Sequence, residues 1–104
     1  MEFWLTGVKC FETTDGWGSD QVTVWFRGSP MFDDECDTGD WWELENTRAD
    51  FEGPEKVWVK ERDAGTDELI GSFWVTPDMG PGLQVATLTG DGSHYDIHYA
   101  VGGA

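Results

Sequence analysis

The chain is short of positive charge. Lys and Arg together number 6 against 21 Asp and Glu, so the formal net charge at pH 7 is -15. Nucleic-acid sites neutralise phosphates with clustered Lys and Arg, and anionic lipid surfaces are held in the same way. Here Lys9, Arg27, Arg48, Lys56, Lys60 and Arg62 are scattered. Nucleic acid is therefore excluded as a partner, and membrane docking is not expected. Self-repulsion at this charge density opposes a compact state, so bound cations, high salt or a cationic partner should offset it.

Long apolar runs are also missing. None approaches the roughly 20 residues a membrane helix needs, and the start Met1-Glu2-Phe3-Trp4 lacks the basic and apolar regions of a signal peptide. The chain is expected to be cytoplasmic or exported by a non-classical route. No stretch has the apolar spacing of an amphipathic helix. There is no G-x-S-x-G elbow, P-loop or H-E-x-x-H motif, and a sandwich of about a hundred residues leaves little room for a substrate cleft between paired carboxylates. No enzyme is expected. Cysteine is scarce as well. Cys10 and Cys36 form a disulfide in an oxidising compartment, or else stay as two thiols, with Cys10 partly buried in a strand.

Aromatic residues are plentiful: seven Trp, six Phe and two Tyr, enough to build a core. The length suits a single domain over 1–104. Short strand-like runs alternate with Gly, Pro, Asp and Asn. Strands are predicted near Phe3–Phe11, Gln21–Arg27, Trp41–Glu45, Lys56–Glu61, Leu69–Thr76, Gln84–Thr89 and His94–Val101. In the last, Tyr95, Ile97, Tyr99 and Val101 fall on one face and His94, Asp96, His98 and Ala100 on the other. Val22, Val24 and Phe26, and likewise Val57 and Val59, alternate with polar residues or Trp in the same way. The pattern predicts an all-β fold, an antiparallel two-sheet β-sandwich of seven to eight strands. Ser29–Asp40, with five acids, reads as its longest loop.

Two acidic loops carry the candidate chemistry. The first runs from Glu12 to Asp20 and includes Asp15. The second runs from Glu61 to Glu68 and includes Asp63 and Asp67. Crowded carboxylates repel unless a cation sits among them. Calcium suits such loops, because it takes six to eight oxygens in irregular geometry. Zinc prefers His or Cys, which neither loop offers. Asp and Gly also favour turns without any metal, so acidic turns alone leave both readings open. Asp91 lies outside both loops, and Asp63→Asn is expected to weaken calcium binding more than Asp91→Asn.

At these residues the chain resembles C2 domains, the second conserved region of protein kinase C. Asp15-Gly16-Trp17-Gly18-Ser19-Asp20 is similar to the family's first calcium loop. Val57 to Asp63, followed by Glu68-Leu69-Ile70-Gly71, is similar to its third. The resemblance implies a β-sandwich with calcium held between the two loops. It implies Asp15 and Asp20 as first-loop ligands, and Glu61, Asp63 and Glu68 as third-loop ligands, with Asp67 the rival to Glu68. Glu61 departs from the family's Asp, and Gln21-Val22 replaces its Pro-Tyr.

Two other constellations stand out. His94, Asp96 and His98 share one strand face but lack a third ligand of suitable spacing, so they read as a polar solvent face. Trp25, Trp58 and Trp74 alternate with core residues and are candidates for stacking on a polysaccharide. The alternative is Trp in the core or at a contact with another protein. Three readings follow: a calcium-binding sandwich with a binding or structural role, an acidic, salt-adapted assembly or surface protein without a metal site, and a carbohydrate-binding module.

Overall fold

The computed structural model describes residues 1–14, 18–63, 66–80 and 82–102, without the side chains of Asp63 and Thr66. Among these residues the chain forms nine strands: β1 (Glu2–Glu12), β2 (Asp20–Phe26), β3 (Ser29–Cys36), β4 (Trp41–Glu43), β5 (Arg48–Asp50), β6 (Glu55–Asp63), β7 (Thr66–Val75), β8 (Gln84–Leu88) and β9 (His94–Gly102). One sheet has the order β4-β1-β9-β8, and the other β3-β2-β6-β7. All pairings are antiparallel. β4 and β5 divide one edge of β1, pairing with Gly7–Lys9 and Glu2–Trp4 respectively. The fold is the antiparallel two-sheet sandwich that the alternation predicts.

The inward residues follow the period of two. Tyr95, Ile97, Tyr99 and Val101 of β9 are buried, as are Val22, Val24 and Phe26 of β2 and Val57 and Val59 of β6. In β1 the inward set changes phase, from Phe3 and Leu5 to Val8 and Cys10, across an irregularity between Leu5 and Gly7. A bulge of this kind adds one residue and so moves the side chains to the other face. Phe3 stacks on Phe26 with ring centroids 4.7 Å apart, joining the sheets, and Phe51 meets Phe26 edge-on. Burying each such ring contributes about 1.5–3 kcal/mol. The core is built from Phe, Tyr and aliphatic residues; among the described residues no Trp is buried.

Two strands escape the sequence pattern. β3 occupies most of the segment read as a long loop. It pairs only with β2, so Asp33, Asp34 and Glu35 stay exposed, while Phe32 and Cys36 are buried. Pro30 fits because an edge strand has free N–H positions and the ladder shifts register beside it. β5 is too short to show any period. Cys10 and Cys36 are free thiols, and both are fully buried.

The pairing Glu12↔His94 brings the β1–β2 and β8–β9 connections together, and Asp63↔Thr66 marks the β6–β7 turn at the far end of β6 from Phe26↔Val57. Hydrogen bonds from Tyr95 to Asp20 and from Thr14 to Glu61 tie these connections into one end of the sandwich. The described residues of both acidic loops therefore meet at that end. The β2–β3 hairpin lies at the other.

Candidate metal centre

Asp20 opens β2 and is 1% exposed. Its carboxylate accepts three hydrogen bonds: from the Thr14 amide at 2.9 Å, from the Thr14 hydroxyl at 2.8 Å, and from the Tyr95 hydroxyl at 2.5 Å. A buried carboxylate is tolerable only with donors of this kind. The Thr14 hydroxyl also lies 2.5 Å from Glu61 Oε2. Its single proton is thus shared between two carboxylates, and Asp20 and Glu61 stand on either side of one side chain.

Glu61 of β6 and Glu68 of β7 are directly opposed in the ladder. Like charges in that position destabilise a sheet. Asp91 completes the group: one carboxylate oxygen from each of Glu61, Glu68 and Asp91 falls within 4.8 Å of the others. At that distance each charged pair repels by about 3 kcal/mol at an effective dielectric near 20, and by less where solvent screens the exposed Glu68 and Asp91.

Asp91 reaches the group through a tight turn, Gly90–Gly92. A Cβ on Gly90 would stand 2.1 Å from the Ile70 carbonyl oxygen, so the turn lies directly against β7. The Thr14 carbonyl approaches Gly92 from the other side. The Ser93 amide donates to the Gly90 carbonyl at 3.0 Å and closes the turn, while Asp91 takes a φ of 55°. The turn is thereby fixed between Thr14 of the β1–β2 connection and Ile70 of β7. The donors are all oxygens of carboxylates, which fits a hard cation such as calcium or magnesium and not zinc.

The remaining sequence candidates fall as follows. Asp15 lies outside the described residues, as does the side chain of Asp63. Glu12 ends β1, exposed, opposite His94. Asp67 is exposed opposite Arg62, and strand alternation puts it on the other face from Glu68. Thr14 and Tyr95 carry no site signal in the sequence, and Asp91, expected to be the milder substitution because it lies outside both loops, instead joins the acidic group through the fold. The Gly-Asp-Gly of 90–92, just before the clearest strand, was the one signal in the sequence.

The tryptophan candidates gather elsewhere, on the outer face of the second sheet. Trp25 and Trp58 are cross-strand neighbours, and Trp58 and Trp74 are 37% and 58% exposed. Lys56 Nζ lies 4.4 Å from the Trp58 ring centroid and 5.6 Å from that of Trp74, so a cation already covers these rings. His94, Asp96 and His98 are half-buried. His94 packs on Phe11 and His98 on Trp41.

Burial gives this end a pH signature. It raises the Tyr95 phenol well above its ordinary range, with the hydrogen bond to Asp20 adding to the effect. It also pushes the Cys36 thiol from 9.0 up to about 12, helped by the nearby Cys10 and Asp40, and raises Cys10. These groups stay protonated when folded but ionise near pH 9–10 when unfolded. The unfolded state then binds fewer protons, so stability is complete below about pH 9 and falls as pH rises towards 12. The urea midpoint should drop steadily between about pH 9 and 11, and a flat midpoint would contradict this burial.

A solved structure described as a C2 domain matches the chain with a TM-score of 0.54. It covers 95% of this chain and 94% of its own, at 15% sequence identity. The fold is C2-like. At that identity the likeness is one of fold alone. No protein-family model matches the sequence, and no curated protein does. The resemblance first seen over two loops thus extends, as a fold, over nearly the whole C2-like sandwich.

Proposed function

We propose that this C2-like sandwich is a calcium-binding module with a binding or structural role, and that calcium sits among Glu61, Glu68 and Asp91. The observation that carries the reading is the convergence of three carboxylates from three separate elements within 4.8 Å. Asp20 braces the group through Thr14, and Asp15 and Asp63 are the sequence candidates for further oxygens. A divalent ion there removes the repulsion of the opposed Glu61–Glu68 pair and joins β6, β7 and the β8–β9 turn. The module's own partner is another protein or a polysaccharide, and catalysis plays no part.

Binding to the folded state alone stabilises it by RT ln(1 + [L]/Kd), about 2.7 kcal/mol at a hundredfold excess over Kd. For a chain of this size that raises the melting temperature by roughly 10 °C or more. Melting should therefore be followed in chelator, then in millimolar calcium, then in the same ionic strength of sodium chloride. A large rise confined to calcium supports the proposal. Equal rises in calcium and in sodium would favour the salt-adapted reading and end this one.

A further inference from the structure

At the end of the sandwich away from the acidic loops, a cavity of about 610 Å³ opens between the β2–β3 hairpin and the segment 46–50. Two of the chain's six basic side chains, Arg27 and Arg48, line it. Both are held in place. Arg27 donates from its Nη1 to the Asp50 carbonyl at 2.6 Å, and its Nε lies 3.8 Å from Glu55. Arg48 stacks on Trp4 at 4.8 Å, and its Nε lies 3.4 Å from Glu2. Each guanidinium thus sets its inner nitrogen beside an acid of its own sheet; Arg27 also uses Nη1 on the Asp50 carbonyl and leaves Nη2 for a ligand, while Arg48 leaves both outer nitrogens. A guanidinium offers five N–H donors in a planar fork that matches a carboxylate. Arg27 also occupies the first position of a two-residue hairpin loop, at φ 52°, with Gly28 at φ 79°. Asn or Asp is the usual residue there. The loop projects an arginine where a short polar residue would suffice for the turn.

Pro30 and Met31 supply an apolar wall to the same cavity, and Thr47 a hydroxyl. Asp50 contributes a negative charge to the lining. Each further charge on a bound anion adds repulsion against it. A monoanion therefore fits better than a dianion.

We infer that this cavity is a binding site for a small organic monocarboxylate, its oxyanion between Arg27 and Arg48 and its apolar body against Pro30 and Met31. The site is independent of the acidic end.

The test is a titration of the full chain with benzoate at low ionic strength, followed by amide resonances in nuclear magnetic resonance. Saturable shifts should centre on Arg27, Ser29, Thr47 and Arg48. Acetate, which lacks the body, and inorganic phosphate at about pH 8, where it is mostly a dianion, should both bind more weakly. Arg27→Gln and Arg48→Gln should each weaken benzoate roughly tenfold or more, as loss of a charge-assisted hydrogen bond does. Both side chains are about half exposed, and the urea midpoint reports whether each variant folds. If Arg48→Gln fails to fold, Arg27→Gln decides. Shifts that do not saturate or that map elsewhere, or wild-type affinity in the arginine variants, would overturn the site. Tighter binding of phosphate than of benzoate would overturn the ligand class.

Discussion

Asp20→Ala should cost about 2–4 kcal/mol of folding stability, measured by urea unfolding with an unchanged slope. The substitution removes an acceptor that takes three hydrogen bonds. Bonds to a charged acceptor contribute roughly 1.5–3 kcal/mol each, and a donor left buried without a partner costs more than the bond was worth. Tyr95, fully buried, would keep only the weak Cys10 thiol as a partner. One effect runs the other way. Removing the Asp20 charge relieves repulsion with Glu61 across Thr14, which is why the expected loss is smaller than the sum of three bonds. Asp20→Asn keeps the size and one acceptor and should lose less than half as much. Asp78→Ala, an exposed carboxylate in the β7–β8 connection, should fall within about 0.5 kcal/mol of wild type. Equal effects of Asp20→Ala and Asp78→Ala would show that the Asp20 network holds nothing together.

Gly90→Ala should also be severe, for a steric reason. The added methyl would stand 2.1 Å from the Ile70 carbonyl oxygen, and backbone cannot yield as a side-chain tip does. The turn must lift away from β7, at a cost of roughly 2–4 kcal/mol, the range of serious overpacking. Asp91 moves with the turn, so calcium affinity should fall along with stability. Gly53→Ala is the control. Among the described residues nothing lies within 4 Å of its added methyl, so its effect should be within about 1 kcal/mol of zero and of either sign. A well-tolerated Gly90→Ala would mean that the turn is not held against β7, and that Asp91 has no fixed place beside Glu61.

Most of the fold was legible because the apolar core residues of β2, β6 and β9 recur with a period of two. Strand β9 buries every second residue and can be read directly. β3 could not be read, because an edge strand with one buried side has little need for apolar residues; three consecutive acids are harmless there and look like a loop. The short β5 carries too few residues for any pattern. The site was legible in part. Glu61 and Glu68 fall in one acidic stretch of sequence, and the hairpin register sets them opposite each other. Asp91 is 23 positions beyond Glu68 in the numbering, and no local spacing connects them. Only the packing of the Gly90–Gly92 turn on Ile70 and Thr14 does so. Thr14 and Tyr95 escaped notice for a related reason: a hydroxyl that braces a carboxylate looks like any other polar residue until the sheets are stacked.

The claim that matters most is that three carboxylates from separate elements grip one divalent ion. Calorimetric titration of calcium into wild type, Asp91→Asn and Asp78→Asn tests it most directly, since Asp91 joins the group only through the fold. Affinity for calcium follows the number of charged ligands, so Asp91→Asn should bind roughly tenfold or more weakly, while Asp78→Asn binds as wild type does. Calcium affinity that is the same in all three proteins, or absent from wild type, would contradict the account.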